Sequence, residues 1–267
     1  MPVVTALAIA SVKATRLRAV DTITLDRSGV RENRRFYLID DRDELVNSKR
    51  VGELQRVIAD YSDTDRTLRL ELPDGRVIED EVALGNQVIT KFFSRAATGH
   101  LVDGPWSAAL SECLGRDLRL VEAGDTAVDR GSEGAVSLIS RASLERLGDA
   151  RNGDGREIDV RRFRMLIEID GVEAHAEDHW VGREVRLGEA KVEFGGHVGR
   201  CVITTRDPDT GVVDLPTLKM LGSYRLDLDT TEPLAFGVYG RVLEPGAIRV
   251  GDPVTPMDSV PGHDYSD

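Results

Sequence analysis

The chain has 267 residues, a formal net charge of −12, 31% charged and 40% hydrophobic residues, and two cysteines. That length suits one large domain or two modest ones and is enough to bury a core. The acidic balance argues against nucleic acid or an anionic membrane surface as the main partner, and two cysteines in dissimilar contexts are too few for a disulfide framework, so a reduced, cytoplasmic setting is expected.

In chain order, residues 1–10 form an apolar run without a basic leader region, and the run breaks at Lys13, too early to span a bilayer. It reads as a first strand, and no membrane anchor is expected. Apolar and polar residues alternate at period two over residues 22–25, 67–72 and 167–169, the mark of half-buried strands. Pro73-Asp74-Gly75-Arg76 punctuates two apolar runs and predicts a hairpin. Residues 107–114 predict a short helix stopped at Gly115, with Cys113 on its apolar face as core filler. Ser140 is placed to cap a second helix over 143–147 that ends at Gly148. Residues 149–156 are polar and Gly-rich, a surface loop, and the tail 257–267 has no periodicity and is expected to fray. The chain therefore reads as mainly β with a few helices, an α+β class.

Chemistry concentrates at Gly199-Arg200-Cys201-Val202-Ile203-Thr204-Thr205-Arg206-Asp207-Pro208-Asp209-Thr210-Gly211. A guanidinium beside a thiol favours the thiolate, the form that binds soft metals and attacks electrophiles. The β-branched residues read as a short strand, and Asp-Pro-Asp-Thr-Gly re-aims the chain after it. Equally, a lone Cys in a strand is a small buried hydrophobe. His197 lies four residues before Cys201, on the same face if the strand runs regularly, and could supply protons. Arg162 and Arg164 share a face at period two and make either a solvated surface or an anion site. His175 and His179 flank Glu177 and Asp178, a spacing only weakly suggestive of zinc. Asp207 and Asp209 are better suited to capping the turn than to acid–base work.

The segment 199–211 resembles the signature of MOSC domains. The resemblance continues in Phe163-Arg164 with Ile167-Glu168-Ile169 and Gly171, in Ala176-Glu177-Asp178-His179-Trp180, in Pro216, Leu218-Lys219 and Tyr224-Arg225, and in the closing residues 236–239 and 244–254. Val12-Lys13 and Arg34-Arg35-Phe36-Tyr37-Leu38 are similar to the β-barrel domain that precedes MOSC in many members. The resemblance implies a smaller N-terminal β-barrel over 1–92, a MOSC β-barrel over 93–256, and a flexible tail over 257–267.

It further implies a molybdenum cofactor, with Cys201 as metal ligand and Lys13, Arg35, Ser140, Arg164 and Arg200 as cofactor-binding positions, brought together in a cleft between the two modules. Cys201 and His197 are then the catalytic candidates. The implied activity is reduction of an N-hydroxylated or N-oxide-type small molecule. Electrons would come from an external ferredoxin or flavin reductase, since the chain holds neither an iron–sulfur cysteine cluster nor a dinucleotide fingerprint. Two alternatives stand beside it. One is a cofactor or sulfur carrier using Cys201, which would need a desulfurase partner because the chain has no pyridoxal-phosphate domain. The other is a cofactor-free barrel binding another small anion, with Leu166 and Val198 lining an apolar pocket. The chain departs from the family at Ala14, where Ser is frequent, at Met165-Leu166 in place of Pro-Asn, at Val198 in place of a second Cys, and at Gly199 in place of Ser. Leu offers a pterin edge none of the hydrogen bonds that Asn does.

Overall fold

The computed structural model describes residues 1–92, 95–124, 131–150 and 157–257. The expected loop over 149–156 and the expected tail lie largely outside those residues. Within them the chain is mainly strands with three α-helices, Trp106–Leu114, Arg141–Asp149 and Thr217–Gly222.

The largest sheet has eight strands in the order Val254–Pro256, Glu184–Leu187, Ala190–His197, Val238–Glu244, Val136–Ser140, Ile167–Asp170, Val3–Ile9, Arg18–Val20. All neighbours run antiparallel except Val136–Ser140 and Ile167–Asp170, which pair in parallel. Their alternating apolar residues meet in one core that includes Val4, Leu7, Ile167, Val185, Phe194 and Val238. The sheet does not close into the expected barrel. The start of its seventh strand, Val3–Ile9, meets the segment leading into Val254–Pro256 through one bridge, Val3 to Pro253, with Val4 N donating to Asp252 O and Val254 N to Pro2 O, both at 2.9 Å. Pro2 and Pro253 stand along that seam and have no N–H to extend a ladder.

A five-stranded sheet runs Leu45–Val46, Phe36–Ile39, Arg119–Ala123, Arg95–Asp103, Ala83–Phe92. Its ends meet at one bridge, Glu44 to Lys91, and again do not close. The predicted hairpin is present as Thr67–Glu71 paired with Val77–Glu81, with Gly75 at φ +87° in the turn. Ile58–Ser62 completes that three-stranded sheet. Trp106, fully buried, donates its indole N–H to Leu68 O at 3.0 Å and ties the first helix to it. The chain weaves between sheets. Val3–Ile9 belongs to the eight-stranded sheet and Phe36–Ile39 to the five-stranded one. The expected boundary lies between strand Ala83–Phe92 and its antiparallel partner Arg95–Asp103, with residue 93 outside the described residues.

Two local expectations are corrected. Val202–Thr205 is a 3₁₀ helix, not a strand: the Thr204 and Thr205 hydroxyls donate back to the carbonyls of Cys201 and Val202, at 3.1 and 2.7 Å, and Thr204 Oγ1 also meets Thr217 Oγ1 at 2.6 Å. Val160–Phe163 is also a 3₁₀ helix, opened by the Asp159 carboxylate, which accepts from Arg161 N. Arg162 and Arg164 therefore do not share a face.

Candidate functional site

Strand Ala190–His197 ends at His197, and the period-two relation to Cys201 ends with it. Residues 198–200 continue in extended form against the segment 233–237. Val198 N donates to Gly237 O at 2.9 Å, Phe236 N to Val198 O at 3.0 Å, and Arg200 N to Pro233 O at 3.0 Å. Cys201 then opens the 3₁₀ helix, and its carbonyl accepts from Thr204 N at 3.1 Å. Its thiol is in no disulfide and the residue is half-buried, beside Val202, which is 42% exposed.

The turn after Cys201 is clamped by arginines. Asp207 Oδ1 accepts from the amides of Asp209 and Thr210 and from the Thr210 hydroxyl, the expected capping role. Burial opposes its charge, yet those donors leave its pKa below the ordinary carboxylate value. Asp209 is not a self-capping residue. Arg161 grips its carboxylate with two bonds of 2.9 and 2.8 Å, and Arg16 donates to its carbonyl at 2.8 Å. The Arg161 bonds hold the Asp209 carboxyl below its usual range. Arg206 donates to Gly211 O at 2.6 Å and to Lys49 O at 3.2 Å. Arg162, buried, pairs in bidentate fashion with Asp214, both bonds 2.7 Å. The Cys201 loop is thereby fastened to residues 16, 49 and 55 of the early chain, Arg16 also donating to Gln55 O at 3.2 Å.

The expected cofactor positions separate into two groups. Arg164, in the left-handed region at φ +54°, donates to Thr15 O at 2.7 Å, while its own carbonyl accepts from Arg34 at 3.0 Å. Lys13 lies two residues from that acceptor, its ammonium 5.6 Å from the Phe92 ring centre. Arg200 links the two ends of the site, since its guanidinium donates to Phe163 O, adjacent to Arg164. Contacts thus run from Cys201 through Arg200 and Phe163 to Arg164 and the Lys13 turn. The second group is engaged in the scaffold. Arg200 is buried and also donates to Phe236 O, while stacking 5.2 Å over Phe163. Ser140 is fully buried. Its hydroxyl accepts from Ser143 N at 3.2 Å as the helix cap and donates to Glu177 Oε2 at 2.9 Å. Arg35 pairs with Glu122, which Arg66 also holds at 3.1 Å. It borders a polar cleft of about 240 Å³ with Arg31, Arg34, Asp26 and Asp63.

Leu166 and Val198 do not line one pocket. Leu166 is in the core of the eight-stranded sheet, whereas Val198 packs with Phe163 and Phe236. A Cβ at Gly199 would lie 2.3 Å from Glu232 Oε2, the end of a flexible side chain, and 3.1 Å from Pro233 Cδ, so the serine found here in many family members would require Glu232 to move. Among the described residues no three His, Cys, Asp or Glu side chains group as a metal site. His175 instead packs 5.7 Å from the Tyr224 ring, where burial, then the Arg225 charge, lowers its pKa to about 4. Sequence reasoning missed Arg16, Arg161, Asp178 and Arg225. No spacing announces them, because apart from the local Arg161–Asp159 pair their partners lie between 10 and 193 positions away. No helix among the described residues is long and apolar enough to cross a membrane.

Residues 125–255 match the family model of the MOSC domain. Over 129 residues the chain is 39% identical to mitochondrial amidoxime reducing component 2 of Rattus norvegicus, a match covering 46% of this chain and 36% of the relative. It is 39% identical over 123 residues to mitochondrial amidoxime-reducing component 1 of Mus musculus, covering 44% and 35%. The match spans about a third of the length of these curated relatives. Among solved structures, YUAD protein from Bacillus subtilis aligns over 96% of both chains, with a TM-score of 0.46 and 11% identity.

Proposed function

We propose, from the match of residues 125–255 to the MOSC domain, that the chain is a molybdenum-cofactor-dependent reductase of N-hydroxylated or N-oxide-type small molecules, with Cys201 as the metal ligand. One observation carries the reading. The half-buried Cys201 thiol stands at the start of a short helix whose following turn is immobilised by Arg161, Arg16 and Arg206. A soft thiolate is the donor type that suits a molybdenum dithiolene centre, so the residues present fit the metal end of the group. Lys13 and Arg164 are the side chains that would hold its phosphate. When bound, the cofactor supplies two-electron redox chemistry.

The protein's own residues do the rest. The Asp209 clamp keeps the thiol from wandering, and positional error at a reacting centre is costly. Reduction of an N-hydroxyl group consumes two electrons and two protons and releases water. His197 is our proton source, and an external ferredoxin or flavin reductase our electron source.

The test is elemental analysis of protein produced with molybdate and cofactor-biosynthesis enzymes. Wild type is expected to hold close to one molybdenum per chain, and Cys201→Ala to lose it while keeping the circular dichroism spectrum of the folded chain. Equal molybdenum in both proteins refutes the ligand assignment. A second reading, a cofactor-free protein binding another small anion, is favoured by the engagement of Ser140, Arg35 and Arg200 within the protein. Absence of both molybdenum and pterin from the wild type selects it.

A further inference from the structure

A buried polar cluster adjoins the segment that leads to Cys201. The side chains of His197, Asp178 and Arg225 are 9%, 9% and 5% exposed. Arg225 donates to Asp178 Oδ2 at 2.9 Å and to Ala235 O at 2.8 Å, and lies 5.8 Å over the Phe236 ring. These contacts fix the carboxylate and turn Asp178 Oδ1 toward His197 Nε2, 3.6 Å away. Neither of those two atoms has a hydrogen-bond partner among the described residues. Two more orphaned polar atoms, His175 Nε2 and Tyr224 Oη, belong to the same neighbourhood.

A buried polar atom left without a partner is costly, and native proteins contain few. Two such atoms, one an acceptor and one a ring nitrogen, facing each other at 3.6 Å are satisfied together by one small torsion or by one shared water. The carboxylate can only accept. The nitrogen that faces it must therefore donate, which decides the tautomer of the imidazole. The Asp178–Arg225 pair alone would need no histidine here; an aliphatic side chain would fill the strand end at lower polar cost.

We propose that Asp178, oriented by Arg225, is a positioning residue that holds His197 as the Nε2–H tautomer and leaves Nδ1 as the nitrogen that takes up and releases protons. The inference rests on the reductase reading and deepens it, since it names what aims the proton source. At turnover, one of the two protons consumed leaves Nδ1 of the imidazolium, ends in the released water, and is restored from solvent. Electrons come from the external donor, and the Nε2 proton stays between His197 and Asp178 throughout.

The tautomer is read without any cofactor, from long-range proton–nitrogen correlation spectra of the ¹⁵N-labelled full chain at neutral pH. The expected wild-type pattern is a protonated Nε2 and an unprotonated Nδ1 at His197; the reverse overturns the proposal. In Asp178→Asn, Arg225 still requires an oxygen, so the amide oxygen turns to it and the NH₂ faces His197. Nε2 must then accept, and the tautomer is expected to invert. A retained Nε2–H in that variant overturns the role of Asp178. If Asp178→Asn does not fold, the wild-type spectrum still decides the tautomer, and His197→Gln takes the kinetic arm. With an amidoxime as probe substrate, either variant is expected to lower kcat at least tenfold with KM and molybdenum content unchanged, and an unchanged kcat overturns the proton role. A wild type without molybdenum refutes the functional reading alone, leaving the tautomer to decide the positioning.

Discussion

Gly211, which closes the turn after Cys201, makes a sharp test of how that loop is seated. Its φ is +74°, and a Cβ there would lie 2.0 Å from Gly52 O. The approach is reciprocal, since a Cβ at Gly52 would lie 2.4 Å from Gly211 O and 2.5 Å from Arg206 Nη1. For Gly211→Ala, the left-handed backbone costs roughly 1–2 kcal/mol. The overlap is with backbone, so no rotamer relieves it and the two segments must part. Parting them breaks the Arg206 bond to Lys49 O, at about 1 kcal/mol, whereas the Arg206 bond to Gly211 O lies within the loop and moves with it. The sum is about 2–3 kcal/mol. For a chain of this size that corresponds to a fall of roughly 4–12 °C in the thermal midpoint, at about 2–4 °C per kcal/mol. Gly75→Ala is the internal control. It has φ +87° but open space around the missing Cβ, so it carries only the backbone cost, about 1–2 kcal/mol. Thermal unfolding of both variants by circular dichroism measures the difference. Equal losses in Gly211→Ala and Gly75→Ala would show that the close approach to Gly52 contributes nothing.

Two more outcomes follow from buried polar groups. Ser140→Ala removes a helix cap and one donor to Glu177, whose pKa burial already pushes up, and is expected to cost about 2–3 kcal/mol in urea unfolding; a loss under 1 kcal/mol contradicts the cap. His175 titrates at about 4 in the folded protein against 6.5 when free, so below pH 6.5 the unfolded chain binds a proton that the folded chain refuses. The stability this contributes is complete above pH 6.5 and is lost as pH falls from 6.5 toward 4, by at most about 3 kcal/mol at 1.36 kcal/mol per pH unit. His175→Gln is expected to flatten that part of the curve, and an unaltered slope between pH 6.5 and 4.5 rules the mechanism out.

The parts of this protein legible in its sequence are those set by near neighbours. The Ser140 cap, the Gly115 stop at φ +63°, the hairpin at Gly75 and the Asp207 turn each depend on residues a few positions apart, and each is present as read. The failures share a cause. Val202-Ile203-Thr204-Thr205 has strand composition, but its threonines bond to local carbonyls, and the Asp209 clamp lies on the other side of the chain's long-range topology. Arg200 reads as an anion donor beside a thiol. Extended backbone at 198–200 turns it inward, where the Phe163 and Phe236 carbonyls engage it. Composition does not report which way a guanidinium faces. Barrel closure was expected from family likeness, and prolines at the seam interrupt the ladder that closure requires.

The same topology bears on what the site needs. Residues 125–255, matched to the MOSC domain, do not contain strand Val3–Ile9, which covers Ile167–Asp170. Nor do they contain Arg16, which holds the Asp209 carbonyl, or Gly52, against which Gly211 closes. Without the early chain, Ile167–Asp170 would present an open edge and an apolar face to water, a combination that favours aggregation. The Cys201 turn would keep Arg161 but lose its two attachments to residues 16 and 49. The conformation of the thiol is therefore set by the whole chain, with the first 55 residues acting on a cysteine some 150 positions away.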